Sequence, residues 1–586
     1  MTFYFTFYLM FVFNLNYIFF LINKKKIMGN IIESCTRQNI CCSNKKTRNL
    51  ATAETREENS FDQNDEIINN YPQNIIEVKV KTSSLIMKRY DNPWDNYEEI
   101  EDLGQGTFGV VKKVILKSRR VYRAMKIINK SNVVKGIDNS EVLNEINILK
   151  NLDHPNIMKI FEFYEDKDNY YIITEFFDQG DLYNKLVKLK FMTEVIVKFL
   201  MSQILNAVSY LHSKKVLHGD IKMENILLYT ATGRAQKRFT VLSNDTKKKF
   251  IQKEINSSNN KRNYSQMTKN IIDSMTNYEI KLIDFGCSKI FSKKKHKNLS
   301  GIIGTSMYCS PEVVDDKYDE KSDEWACGVL MYILLSGTTP FKGETEDEIF
   351  FNIKKGKFNF NKPEFKLVSK TCKDLICKLL EYYPEDRISA SEALKHPFFT
   401  ENFNPNLALI HNRDLSLLTN LIHVKSTSKF QETIIAYLTI NFIDKDEEKK
   451  LREVFRYMDR QSKNYLDIQD FKHCLNENNY DISENEIKHI IGIMDSDQNG
   501  HVEYQEFLRT LCNKDNLFSN ENLKCAFNLL DEEKKGIIIW DNINKIIFHG
   551  KDMKSELIDE YLSEIGLSRE DEIDFDKFCE IIKLAK

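Results

Sequence analysis

In LHGDIKMENIL, Leu217 to Leu227, three polar side chains stand close together at Asp220, Lys222 and Asn225, and a second acid, Asp284, follows in KLIDFG. A carboxylate at Asp220 can orient a hydroxyl and accept its proton. An ammonium at Lys222 can stabilise a phosphoryl group in transit, and Asn225 with Asp284 can hold Mg²⁺. Any one of these alone reads as an ordinary polar loop residue. Together, and in order with the elements below, they point to phosphoryl transfer. A second constellation is DSDQNGHVEYQE, Asp495 to Glu506. Asp495, Asp497 and Asn499 place oxygens at the first, third and fifth positions of a calcium loop, and Gly500 makes its turn. His501 offers a carbonyl, Glu503 acts through water, and Glu506 closes the shell with two oxygens.

These groups need elements to position them. LGQGTFGVV, Leu103 to Val111, carries Gly104, Gly106 and Gly109 between two stretches that read as strands, EEIEDL and VKKVIL. That context predicts a hairpin whose backbone N–H groups close over phosphates, with Leu103 and Val111 flanking the nucleotide. In RAMK, Lys126 would bind the α- and β-phosphates, and Ala124 leaves room for adenine. Glu145 lies on a segment where Leu143, Ile146 and Leu149 have helical period, so it can hold Lys126. YYIITEFFDQGDL, Tyr170 to Leu182, reads as a strand ending in a polar turn. It puts Thr174 and Glu175 at the adenine edge and Asp181 towards the ribose.

The 586 residues are too many for one core. A net charge of -2 implies no nucleic-acid field. The 12 scattered cysteines lack metal spacing and fit a reduced compartment. Thr2 to Ile22 is long and apolar enough to span a bilayer, with Lys24 to Lys26 behind it, but it has no small-residue cleavage site. The alternative is a true start at Met28. Gly29 would then carry a myristoyl chain and Cys35 a palmitoyl chain, although Glu33 stands in the usual Ser/Thr position. Either way the chain is expected on the cytoplasmic face of a membrane. From Ser43 to about Asn92 it is polar and expected to be disordered.

With these motifs in order, the region Tyr97 to Phe399 resembles a eukaryotic protein kinase. CSPE, Cys309 to Glu312, and DEWACG, Asp323 to Gly328, match two further family motifs. The resemblance implies that Arg387 is the buried partner of Glu312, and Lys222 marks the serine/threonine class. It implies ATP and Mg²⁺ as cofactors and proteins as substrates. Asp181 and Glu224 are acids where basophilic members read a basic residue before the target. Gly219 replaces the family's arginine, and the segment SKKKHKNLS, Ser292 to Ser300, is itself basic. Activation is then expected not to wait for phosphorylation. The insert 229–279 reads as a solvated loop.

Beyond Glu447 four helix-loop-helix units are expected in two pairs, with hydrophobic Leu466, Val502, Ile538 and Ile573 at the eighth loop positions. The loop at Asp495 is the one expected to be competent for Ca²⁺, with the loop at Asp459 a poor second candidate. The loop 459–470 has Lys463 where an oxygen is needed and Asn464 for the glycine. The loop 531–542 has Lys535 and ends in Asn542, and the loop 566–577 loses both end ligands. Between the two regions, Leu418, Leu421, Ile422, Ile434, Ile435 and Leu438 give apolar faces to a junction. The whole resembles the calcium-dependent protein kinases of plants and apicomplexan parasites. The expected fold is an α+β two-lobed kinase followed by an all-α EF-hand domain. Residues 1–96 form the targeting segment, 97–399 the kinase, 400–445 an autoinhibitory junction, and 446–586 the EF-hand units. A monomer is expected, its EF-hand region contacting its own junction. A calcium-independent kinase with structural EF-hands, and an inactive scaffold, stay open as alternatives.

Overall fold

The structure is a computed structural model and describes residues 86, 88–89, 91–105, 109–130, 139–230, 278–291, 305–315, 319–400, 421, 426–478, 480, 482–531, 533–547 and 555–585. Gly29, Cys35, Gly106, Leu418, Ile422, the segment Ser292–Ser300 and residues 231–277 of the insert lie outside them.

A six-stranded sheet forms the first lobe. Its strands are β1 (Lys88–Arg89), β2 (Tyr97–Gln105), β3 (Val110–Leu116), β4 (Val121–Asn129), β5 (Ile160–Glu165) and β6 (Asn169–Glu175), in the order β1-β5-β6-β4-β3-β2. All neighbours are antiparallel except β1 and β5. The strand β1 corrects the expectation of disorder to Asn92. Lys88 and Arg89 pair with Phe163 and Tyr164, and Arg89 reaches Asp91 and Glu162. Local polarity hid this, because the ladder partner is distant in sequence.

Cross-strand register aligns the nucleotide residues. Val111 lies opposite Lys126, and Ala124 opposite Thr174. Opposed residues share a sheet face, as do residues two apart, so all four side chains line one surface. Gly109 is obligatory for close approach, since a Cβ there would sit 1.9 Å from the carbonyl oxygen of Ile127. The helix α1 (Asn139–Lys150) brings Glu145 to the sheet.

In the second lobe, α2 (Leu182–Leu189) and the long α3 (Glu194–Ser213) pack with α4 (Lys321–Ser336). The last two are apolar nearly all round and buried accordingly. Two short antiparallel pairs frame the catalytic loop: β7 (Val216–Leu217) with β10 (Lys289–Ile290), and β8 (Ile226–Thr230) with β9 (Tyr278–Leu282). Thr230 pairs with Tyr278, so the insert leaves from the tip of an intact hairpin. Arg387 grips Glu312 with two bonds of 2.6 and 3.1 Å.

The remaining chain is helical: α5 (Lys429–Phe442), α6 (Lys445–Met458), α7 (Ile468–Glu477), α8 (Glu484–Met494), α9 (Tyr504–Leu511), α10 (Asn520–Leu530), α11 (Trp540–Ile547), α12 (Ser555–Glu564) and α13 (Phe575–Lys583). The eighth loop residues pair as the pattern requires, Leu466 with Val502 and Ile538 with Ile573, through reciprocal N–H···O bonds of 2.9 Å. The helix α5, opened by a Ser428–Gln431 capping box, buries Phe430, Ile434, Ile435 and Leu438 in the core of these units. Each such side chain stabilises the docking by about 1.5–3 kcal/mol.

Candidate functional site

The Lys126 ammonium lies 3.0 Å from both oxygens of Glu145. Burial works against its charge, yet Glu145 and Asp284 hold its pKa above the ordinary lysine value. Asp220 sits beside Lys222 Nζ at 2.6 Å, and the Asn225 amide donates to its backbone oxygen and its carboxylate, both at 2.9 Å. Lys222 also donates to Thr305 Oγ1 at 3.2 Å. Asp284 has φ +63°, a left-handed backbone that only its surroundings can hold. Asp284 links the two groups: its charge acts on Lys126, and the N–H of its neighbour Ile283 donates to the Asn225 carbonyl at 3.0 Å.

The catalytic loop hangs from Asp323, which accepts from the backbone N–H of His218 at 2.9 Å and of Gly219 at 3.0 Å. Gly219 adopts φ +79°, and a Cβ would stand 3.0 Å from the carbonyl of Cys287. Glycine thus relieves a strain that any other residue would carry. Asp323 is itself held by His212 Nε2 at 3.0 Å, while His212 Nδ1 meets Glu324 at 3.2 Å. Burial disfavours an imidazolium, but the carboxylates of Glu324 and Asp323 outweigh it and raise His212 to about 10.

Two expected nucleotide contacts are altered. Asp181 caps α2, accepting from the Asn184 backbone at 2.6 Å and its amide at 2.8 Å. The Glu175 carboxylate accepts from buried Lys281 at 2.9 Å and from the Lys159 N–H at 2.7 Å, so its backbone is what it can offer an adenine. Of the glycine hairpin, Leu103 and Gly104 are exposed and Gly109 is half-buried.

In the loop Asp495–Glu506, oxygens of Asp495, Asp497 and Glu506 all lie within 4.8 Å of one another. Glu506 accepts from the N–H groups of Ser496 and Glu503, and burial pushes it up to about 7. Asn499 accepts from the N–H of His501, whose ring lies against Tyr465 of the paired loop. The donor set is all oxygen and already convergent, which fits Ca²⁺. Glu503 is turned elsewhere, to Lys214 Nζ of the kinase region at 2.7 Å.

That contact belongs to a docking surface that sequence reasoning missed. The Asp153 carboxylate accepts from the Gln505 N–H at 2.8 Å, and Arg123 donates to the Asn441 carbonyl at 2.9 Å. Arg456 donates to Asn156 at 2.8 Å and to Glu279 at 3.4 Å, with Arg452 3.7 Å from Glu279. Glu448 lies 3.6 Å from Lys159. Burial opposes its charge, but Lys159 and Arg452 hold its carboxyl at about 2. Arg452 and Arg456, one helical turn apart, were the available signal, but nothing local sets them apart from the other charges of that helix.

A family model described as a protein kinase domain matches residues 97–399 of this chain, and one described as an EF-hand domain pair matches residues 448–511. Calcium-dependent protein kinase 4 of Plasmodium falciparum (isolate 3D7) is 34% identical over 376 residues, covering 64% of this chain and 62% of that protein. Calcium-dependent protein kinase 4 of Plasmodium berghei (strain Anka) is 32% identical over 378 residues, with the same coverages. Calcium-dependent protein kinase 3 of Plasmodium yoelii yoelii is 32% identical over 400 residues, covering 66% and 62%. The chain spans about three-fifths of the length of these curated relatives.

Proposed function

The chain belongs to the protein kinase family, and on that premise we propose that it is a calcium-regulated serine/threonine kinase. It would pass the γ-phosphate of ATP to protein hydroxyls under control of the loop Asp495–Glu506. When bound, ATP supplies the phosphoryl group, Mg²⁺ neutralises its charge, and Ca²⁺ completes the loop. Lys126, oriented by Glu145, would hold the α- and β-phosphates, and Asn225 and Asp284 would hold the metal. Asp220 takes the proton of the incoming hydroxyl, and Lys222 steadies the transferred group.

The observation that carries this reading is the direct contact between a convergent calcium loop and the kinase region, Glu503 on Lys214. Lys214 lies just before the strand that leads into the catalytic loop. The burial of α5 by the helical units supports a junction withdrawn from the cleft when the loop is filled. Acylation at Gly29 and Cys35, and residence on the cytoplasmic face of a membrane, extend the proposal to the amino terminus.

Phosphate transfer to a basic peptide, measured across a calcium titration, tests it. A calcium-dependent rate that Asp220→Asn lowers by about 10²- to 10⁴-fold is expected. A flat titration would support a constitutive kinase, and equal signal from wild type and Asp220→Asn a scaffold.

A further inference from the structure

Three of the four loops share one backbone. In each, the first-position Asp accepts from the N–H groups at positions five and six: Asp459 from Lys463 and Asn464, Asp495 from Asn499 and Gly500, Asp531 from Lys535 and Gly536. The fourth and sixth residues have positive φ in all three. The loops differ in what fills the middle.

In the loop 459–470, Lys463 does not fit a calcium shell, because it presents a cation where a ligand oxygen belongs. Its side chain instead turns inward and is only 16% exposed. Its ammonium lies 2.5 Å from Asp467 and 2.6 Å from Asp470, the ninth- and twelfth-position acids. Lys535 holds the same position in the third loop but is 63% exposed and pairs with Glu533. There Ile539 and Asn542 take the ninth and twelfth positions, and no acid draws the lysine in.

The closed first loop is also a contact. The Asn156 N–H donates to His154 Nδ1 at 3.0 Å, so the ring proton is on Nε2 and donates to Asn464 Oδ1 at 3.0 Å. His154 is buried and held neutral by burial and by Arg456. Asn464 reaches it from a left-handed backbone, φ +66°, that Lys463 and Asp459 help to fix.

We propose that Lys463 is the built-in cation of the first loop, keeping that unit closed at every calcium concentration as the fixed foot of the sensor on the kinase region. The inference deepens the proposed function and rests on it only for the role of the second loop. Lys463 is then a positioning residue, and calcium acts on a unit already anchored next to it.

Amide hydrogen exchange of the full chain, with and without EGTA, tests this beside calcium-binding stoichiometry. In EGTA the segment 459–470 of the wild type should stay protected while 495–506 exchanges about ten-fold faster or more. One calcium should bind per chain, protecting only the second loop. Lys463→Gln should deprotect 459–470 in EGTA by about ten-fold and expose the segment around His154 as well. Lys463→Asn, which restores a fifth-position oxygen, should gain a second and weaker calcium equivalent that re-protects 459–470. The proposal is overturned by a wild type that binds two calcium ions and gains protection at 459–470. It is equally overturned by a Lys463→Gln variant with unchanged protection, or by no second equivalent in Lys463→Asn. None of these readouts uses phosphate transfer. A flat calcium response of the kinase would sink the sensor reading and leave the test of the lock intact.

Discussion

The loops 459–470 and 495–506 lie back to back, joined through Leu466 and Val502, and they solve one electrostatic problem in two ways. Each gathers carboxylates around a tight turn, and each needs positive charge at the centre. The first carries its cation on the chain, as Lys463. The second has Asn499 at that position and, on the proposed reading, takes its cation from solution. On that reading the exchange at position five, with Gln461 in place of Asp497 and Asn464 in place of Gly500 beside it, separates a fixed joint from a calcium loop. The same device recurs under the catalytic loop, where His212 sits between Asp323 and Glu324.

The largest effect should come from breaking the foot of the first unit. Arg456→Ala leaves Glu279 buried with Arg452 as its remaining close partner, and removing one member of a buried pair costs about 3 kcal/mol. Thermal unfolding of the full chain should drop accordingly, and residues around Asn156 should lose exchange protection. An unchanged unfolding midpoint would mean that the dock is a surface contact.

Next comes the contrast between closing residues. Glu506→Gln should weaken calcium binding by about ten-fold or more, since it removes a bidentate charged ligand. Asp470→Asn, at the equivalent position of the first loop, should leave the calcium titration where it is. Equal shifts in the two variants would erase the distinction between the loops.

The two built-in cations should also part company with pH. His212 is held at about 10 against an ordinary value near 6.5. Its contribution is therefore complete below pH 6.5 and is lost as pH rises towards 10, by about 1.4 kcal/mol per pH unit at most. Calorimetry from pH 7 to 9 should show this slope in the wild type and a shallower one in Glu324→Gln. The Lys463 lock should hold its exchange protection over the same range.

The smallest effect is expected at Lys214→Met. The pair with Glu503 is partly exposed, 39% and 22%, so its coupling is worth about 0.2–1 kcal/mol, a shift of about 1.4- to five-fold in calcium affinity. Isothermal titration should find that shift with the stoichiometry unchanged. No shift at all would detach the ninth loop position from the kinase region.

Much of this was legible from local spacing. The glycine hairpin between its two strands, the four eighth-position hydrophobics and the run from Asp220 to Asn225 each encode their element within a few residues. The dock was not legible, because its partners are far apart in sequence. Glu279 and Arg456 are separated by 177 positions, and His154 and Asn464 by 310. Asp181 and Glu175 were readable as positions on the nucleotide edge. The capping of α2 and the ion pair to Lys281 became visible only in three dimensions.

The amino-acid sequence by itself determined which groups each loop can offer. A lysine or an asparagine at position five, with acids or uncharged residues at nine and twelve, decides ligand chemistry before any folding. Tertiary structure alone decided what those groups serve. It set Asn464 against His154, Glu503 against Lys214, and Arg456 against a buried Glu279, turning surface charges into a joint. The reason is desolvation: a charge is costly to bury unless a partner meets it, and only the packed chain determines which partner arrives.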